Sequence, residues 1–566
     1  MSLDFDPLDF FKQELSSDEI FIKVNAIHRI KVISTVIGSS RVEQELIPYL
    51  SSIIPKLEDE SLFALSQELG ILHLYVNDSP GTLLPLLEAL ASAEESLVRE
   101  QAVFSLIELA SYLSDYQLIH TFVGTVIKLS SSEAFTAKIS ACKLFTAAYP
   151  RAGGYREKLR GKLIELCQDD NYMIRKSAAE QIEEMISIVE KQSLVNEIFP
   201  IIKILNQDEH EEIRIICIKF IRKLCEILNK EEIKALIVPL LTSFQEDSSW
   251  KVRLAFADEI FVISEVSDME FIENVLLQNV VFLMHDTENE VKIGMLRGMV
   301  NMVKKIPPEK MVSLMFPIIS SFFQDEGLQL KIKMVCADII VEMWKVTDKE
   351  FCLKSIFPIV EGVFTDNSKD LKLKFMENLH VFSSAGGDFV VGKLRPILEE
   401  CWKDTKNWRL RRKVLKSIVK ITLILGSDIF TSSLSSVFLR FITDPVCSIR
   451  NTGFKEIKKL SKCIDLEWFS TILYPKLQEL YSETTWYLHR VCIIHILGNI
   501  PGDYLSIFNT ACKEPVSNIK IAVCKVIQQM IDEKKDISAY NSFIYELRKD
   551  KDRDVAYLAN SILLDS

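Results

Sequence analysis

Residues 232–247, EIKALIVPLLTSFQED, carry apolar side chains at helical spacing with a single proline inside the run. The pattern predicts an amphipathic helix kinked at Pro239, because proline lacks the amide hydrogen that a helix interior needs. A polar break, DSSW, follows, and its serines suit the N-terminal cap of a second helix. Helical spacing resumes in KVRLAFADEIFVISEV, residues 251–266, through Val252, Ala255, Phe256, Ile260 and Ile263. The predicted unit is two antiparallel helices joined by a short turn. One such pair cannot bury both of its apolar faces, whereas stacked pairs can.

The unit recurs. An acidic residue, five others and then Arg or Lys occur as Asp169/Arg175, Asp208/Arg214, Asp247/Arg253, Asp286/Lys292, Asp325/Lys331, Asp366/Lys372, Asp444/Arg450 and Glu514/Lys520. The base falls at 175, 214, 253, 292 and 331, in steps of 39, and Arg411 and Arg450 are again 39 apart. Prolines keep the same phase: Pro85, Pro200, Pro239, Pro317 and Pro358 each lie 14 residues before Arg99, Arg214, Arg253, Lys331 and Lys372. Two residue types in step over several hundred residues define a repeat array. With weaker units near Lys23, Leu62, Lys138, Arg490 and Ala556, about fifteen helix pairs fit, so the expected fold class is an all-α solenoid. A catalytic pair would not recur in every layer. The motif therefore predicts a structural ladder of side-chain hydrogen bonds, with Asp169, Arg175, Asp208, Arg214, Asp247 and Arg253 as members. Each rung is worth roughly 0.5–1.5 kcal/mol.

Composition narrows the function. The 566 residues are 48% hydrophobic and 26% charged, with only 18 glycines and 17 prolines, as expected of an ordered helical chain. The net charge of -12 is spread along the chain with no acidic or basic tail, which argues against a nucleic-acid partner. Twelve cysteines stand singly with no C-x-x-C, and no signal peptide is evident, which suits reduced thiols in a cytoplasmic or nuclear protein. Most of them, Cys217 and Cys336 for example, fall on apolar helical positions and read as small core residues. No run of 18 apolar residues is present, so no membrane span is expected. His489 and His495 lie six apart and do not share a helical face, so no metal site is expected. RAGGYREK, residues 151–158, lacks the G-K-[ST] of a phosphate loop, and no serine sits in a G-x-S-x-G elbow. No cofactor and no enzymatic activity are implied.

A proline-bearing first helix, a short turn and a second helix opening on D-x5-[RK] resemble HEAT repeats. EDSSWKVRLAFADE, CQDDNYMIRKSAA, ASAEESLVRE, SACKLFTAAYPR and TTWYLHR resemble more narrowly the scaffold (A) subunit family of protein phosphatase 2A. The resemblance implies a curved superhelix whose turns form a ridge for partners. Residues 1–390, repeats 1–10, would hold a variable regulatory B subunit, and residues 391–566, repeats 11–15, the serine/threonine phosphatase catalytic subunit. By motif, Trp408, Arg409, Val446, Trp486, Tyr487, Pro515 and Val516 would face the catalytic subunit. Glu94, Glu95, Tyr172, Arg175, Lys176 and Trp250 would face regulatory subunits. The tryptophans would then stand at polar turns because a partner covers them. The plainer alternative is that Trp250 and Trp408 pack on a neighbouring repeat.

The chain departs from the family at several points. Ala134 stands where a tryptophan is usual, Cys447 where an aromatic is usual, and Ala556 where the last repeat has a base. Asn407 and one residue of SETTWYLHR read as insertions, and the step from Arg490 to Lys520 is only 30. Two other classes fit less well. A HEAT-repeat hydroxylase needs several His-Glu pairs for iron, and the chain has one, His210-Glu211. A karyopherin-type receptor with a W-x-x-x-N ladder is not matched, since Leu254 and Arg412 occupy the fourth place after Trp250 and Trp408.

Overall fold

The structure, a computed structural model, describes residues 6–562 apart from 77–79, 367 and 503. Every regular element among the described residues is helical. Second helices of the pairs start at Ile20, Asp59, Ser96, Phe135, Tyr172, Glu211, Trp250, Asn289, Leu330, Lys369, Trp408, Cys447, Tyr487, Ser517 and Arg553, fifteen in all. The chain divides into two compact units, Met1–Gly298 and Met299–Ser566.

In the first unit the helix Trp250–Val266 shows how a repeat is built. Ser249 is its N-cap and accepts from the Lys251 amide, and Val252, Phe256, Ala257, Ile260 and Ile263 form its buried stripe. Asn171 and Glu95 cap Tyr172–Met185 and Ser96–Tyr112 in the same way. Successive second helices pack closely. A Cβ at Gly294 would come within 2.7 Å of Leu254 Cδ1 and 3.0 Å of Asp258 Oδ1, so a larger residue there would displace those side-chain ends.

In the second unit the helix Leu330–Val346 buries Trp344, whose indole N–H donates to Ser384 Oγ at 2.9 Å. The Phe382 ring meets that indole edge-on at 4.9 Å, with Phe357 and Phe389 beside it. Near the end of the chain the first helix shrinks to Leu505–Cys512, which accounts for the short step between Arg490 and Lys520.

The first helices depart from the simple kink expected at proline. Ten of them contain a five-residue π-helical turn. These turns start at Val42, Leu118, Leu194, Ile233, Ile272, Met311, Cys352, Val390, Phe430 and Phe469. In the repeat quoted above the turn is Ile233–Ile237, and the Val238 amide reaches back five residues to the Ile233 carbonyl. Pro48, Pro200, Pro239, Pro317, Pro358, Pro396 and Pro475 each sit two residues beyond such a turn. The wide turn removes the four-residue bond that proline cannot make and relieves the ring clash. Proline is not its cause, however, because Leu118–Phe122, Ile272–Leu276 and Phe430–Leu434 are followed at that place by Gly124, Gln278 and Ser436.

Of the twelve cysteines, Cys447 and Cys463 are exposed and the other ten, Cys217 and Cys336 among them, are buried as small core residues.

Candidate partner-binding turn tips

The turn tips are held by the acid–base motif, in a geometry that spacing alone does not reveal. Arg175 Nη1 donates to the carbonyl of Asp169, its own motif partner, at 2.9 Å, while its Nε donates to Asp208 in the next repeat at 2.7 Å. Arg214 repeats this with the Asp208 carbonyl at 2.7 Å and the Asp247 carboxylate at 2.7 Å. Arg253 does so with Asp247 O at 2.7 Å and Asp286 at 2.6 Å. Lys138–Asp169, at 2.7 Å, is a further rung. In the second unit the pairs are Arg411–Asp444 at 2.8 Å, Arg490–Glu514 at 2.7 Å and Lys520–Asp550 at 2.6 Å. Arg175, Arg214 and Arg253 therefore each close their own turn through the backbone and ion-pair with the acid of the following repeat.

Each acid works twice as well. Asp208, Asp247 and Asp286 accept the amide two residues on, from His210, Ser249 and Glu288, at 2.8–2.9 Å, which shapes the turn before the helix. Burial by itself would raise the carboxyls of Asp169, Asp208 and Asp286. Hydrogen bonds from Lys138, Arg175 and Arg253, with the backbone donors, outweigh it and hold all three below the ordinary aspartate value.

On this frame the first unit displays Tyr172 and Trp250, 40% and 41% exposed, at the first position of their helices. Tyr172 lies flat on the His210 ring, centroids 4.5 Å apart and planes 6° apart. Lys251 beside Trp250 is anchored by Glu211 at 2.6 Å, and Lys176 by Glu212 at 2.6 Å. Glu94 is exposed, and Glu95 is half-buried and caps its helix. Arg175, expected both in the ladder and at a partner, has its side chain only 12% exposed and is engaged in the ladder. Ala134 is an N-cap without a side-chain bond. Sequence reasoning missed Phe282, 46% exposed, and His285, which with Gln245, Arg253 and Asp286 line a cleft of about 550 Å³ beside the tips. The signal was available: an apolar run, VVFLM, that carries a large aromatic up to the polar HDTE turn.

In the second unit Trp486 is the N-cap of Tyr487–Asn499 and is 38% exposed. The Arg450 guanidinium lies 5.7 Å from its ring centre and the His489 ring 4.7 Å away. Trp408 is more sheltered than expected: it is half-buried and lines a cleft of about 350 Å³ with Met334 and Leu373 from two other repeats. The Arg409 guanidinium sits 5.0 Å from its ring. Asn407 is the N-cap here, accepting from Leu410 at 3.2 Å. Val446, Tyr487 and Val516 are half-buried and Pro515 is exposed, all at or beside helix starts. Among the described residues no group of three or more metal-ligating side chains converges, and no helix is long and apolar enough to cross a membrane.

A family model described as PIK3R4-like, middle domain, matches residues 83–322. Over 201 residues the chain is 37% identical to the protein phosphatase 2A scaffold subunit of Dictyostelium discoideum, covering 35% of this chain and 34% of that one. It is 36% identical over 195 residues to the alpha isoform of the 65 kDa regulatory subunit of protein phosphatase 2A from Arabidopsis thaliana, 34% of this chain and 33% of that one. The beta isoform from Homo sapiens is 35% identical over 190 residues, 33% of this chain and 31% of that one. The chain thus matches about a third of the length of these relatives. Among solved structures, Kap95p with RanGDP aligns to 99% of this chain and 79% of its own, with TM-score 0.53 and 11% identity. Kap121p bound to RanGTP aligns to 98% of this chain and 64% of its own, with TM-score 0.52 and 14% identity. That likeness is one of fold. The chain is an all-α HEAT-repeat protein, related over part of its length to phosphatase scaffold subunits.

Proposed function

We propose that the chain is a non-catalytic scaffold of a protein phosphatase 2A-type holoenzyme. Its turn tips gather two partners, a serine/threonine phosphatase catalytic subunit together with a regulatory B-type subunit. The single observation that carries the reading is that aromatic side chains stand 38–41% exposed at helix starts, Tyr172 and Trp250 in the first unit and Trp486 in the second. Large aromatics fixed at low entropic cost on a surface are the usual anchors of protein interfaces. The partial identity to proteins named as phosphatase 2A scaffolds supports the choice of partner.

In this reading residues 391–566 hold the catalytic subunit through Trp408, Arg409, Val446, Trp486, Tyr487, Pro515 and Val516. Residues 1–390 hold regulatory subunits through Glu94, Glu95, Tyr172, Lys176 and Trp250, with Arg175 acting through the ladder. The work done is a rise in effective concentration, because two chains held on one frame meet as if tethered. The catalytic chemistry belongs to the bound partner. The test is affinity purification of the full chain from its native extract, with identification of co-purifying chains. Near-stoichiometric recovery of a phosphatase catalytic subunit is expected. Its absence, or phosphopeptide turnover by the purified chain alone, overturns the proposal.

A further inference from the structure

The exposed face of the helix Trp408–Leu425 is a stripe of one charge. This helix carries six cations and no anion. Arg411 is buried in the ladder with Asp444, so it is spoken for. The other five, Arg409, Arg412, Lys413, Lys416 and Lys420, follow the three- and four-residue spacing of one helix face, and each is half-buried or exposed. Hydrophobic residues bracket the stripe: Trp408 at its start, and Leu423 and Ile424, 54% and 52% exposed, at its end.

Few anions answer this charge. From the neighbouring helix Lys369–Asn378, Glu377 pairs with Lys413 and its carbonyl accepts from Lys420. Lys374 on the same helix is taken by Asp338 at 2.7 Å. Asp370 stands at the cleft beside Trp408. On the other side, the helix Cys447–Leu460 adds an exposed Lys455 and uses its own Glu456 on Lys459. Arg412, Lys416 and Lys420 have no carboxylate partner among the described residues. In a chain of net charge -12 such a concentration is a local reversal of sign, and it draws anionic ligands to one place.

We infer that this stripe is a binding site for an acidic peptide segment with apolar residues at its ends, contributed by a partner protein. The distance from Arg409 to Lys420 is about 16 Å at 1.5 Å per helical residue. About five residues of extended chain cover that length. Acidic side chains on alternate residues of such a chain recur about every 6.6 Å, close to the roughly 6 Å between bases four apart on the helix. Trp408 at one end and Leu423 and Ile424 at the other favour a peptide over a nucleic acid, whose backbone offers phosphates alone and is repelled by the rest of the chain. The inference stands independently of the phosphatase reading, since it concerns the purified chain.

The test is fluorescence anisotropy of a fluorescein-labelled glutamate-rich peptide bearing a leucine at each end, titrated with the full chain. Saturable binding is expected, weakening at least about tenfold between about 50 mM and about 200 mM salt. The triple variant R412E/K416E/K420E should lose at least about tenfold in affinity, and R412Q/K416Q/K420Q should lose less, both with unchanged helical circular dichroism. Reversal of three exposed lysines in the first unit, K158E/K219E/K234E, changes net charge equally and should leave affinity within about twofold. The inference fails if the peptide does not bind, or if the first-unit variant loses as much as the stripe variants. It fails also if an oligothymidylate or phosphatidylserine vesicles bind the stripe more tightly than the peptide.

Discussion

Replacing Arg253 by alanine removes a rung whose members are all in view. The guanidinium gives Asp286 two hydrogen bonds, at 2.6 and 3.0 Å, and closes its own turn at Asp247 O, 2.7 Å. The Asp286 side chain is 3% exposed, and without Arg253 its carboxylate keeps only the Glu288 amide at 2.8 Å. Leaving one member of a buried pair alone costs about 3–5 kcal/mol. Asp286 lies in a turn that can tilt toward water, so we expect about 3 kcal/mol, near a hundredfold in local opening. Hydrogen exchange should accelerate by that factor in Trp250–Val266 and Leu277–Met284 and stay unchanged in Ser517–Asp532. R253A/D286N, which neutralises the stranded acid, should recover about half the loss or more. R222A, whose exposed pair with Glu226 is 3.5 Å long, should change exchange by less than about 0.5 kcal/mol. A uniform rise along the whole chain, or a double variant as weak as R253A, would refute the reasoning.

Acid should attack the same frame. Asp169, Asp208, Asp286 and Asp550 have folded values below the ordinary 3.8, so their contribution is complete above that pH and is lost as pH falls through the depressed values. Melting temperature should therefore drop below about pH 4, and less steeply in R253A than in the natural chain. W486A should weaken phosphatase catalytic-subunit binding by about 2 kcal/mol or more, while W250A spares that partner and weakens a regulatory one. Titration calorimetry with each subunit checks this, and equal losses at both partners would contradict the division. Gln278→Pro, exposed and two residues beyond a π-turn, should cost under about 1 kcal/mol, whereas Lys219→Pro inside Glu211–Ile227 should cost about 3 or more. Urea unfolding compares them, and similar losses would sink the account of the turn.

The period, the helix pairs and the turn positions were legible because their signals are local: apolar spacing, a serine before Trp250, an acid six residues before a base. What the acid and base do was only half legible. Asp247 and Arg253 are neighbours in the motif, yet the carboxylate that Arg253 pairs with belongs to Asp286, and only stacking brings it there. The π-turns were hidden because one widened turn shifts the apolar spacing by only a single residue, and Pro239 invited the simpler reading. The depth of Trp408 depends on Met334 and Leu373, supplied by other repeats, so its own neighbours in sequence could not fix it. Trp250 and Trp486 stay at the surface as their polar flanks implied.

The wide turn in the first helices bears on how such a chain drifts over generations. Seven repeats hold a proline two residues past it and three do not, so gain or loss of a proline at that place leaves the turn standing. Pro200, Pro239, Pro317 and Pro358 can then come and go while the turn persists, as Gly124, Gln278 and Ser436 already illustrate. The paired aspartates and arginines have no such latitude, because each is answerable to a repeat other than its own. Lineages descending from this array should shed its prolines long before they shed its ion pairs.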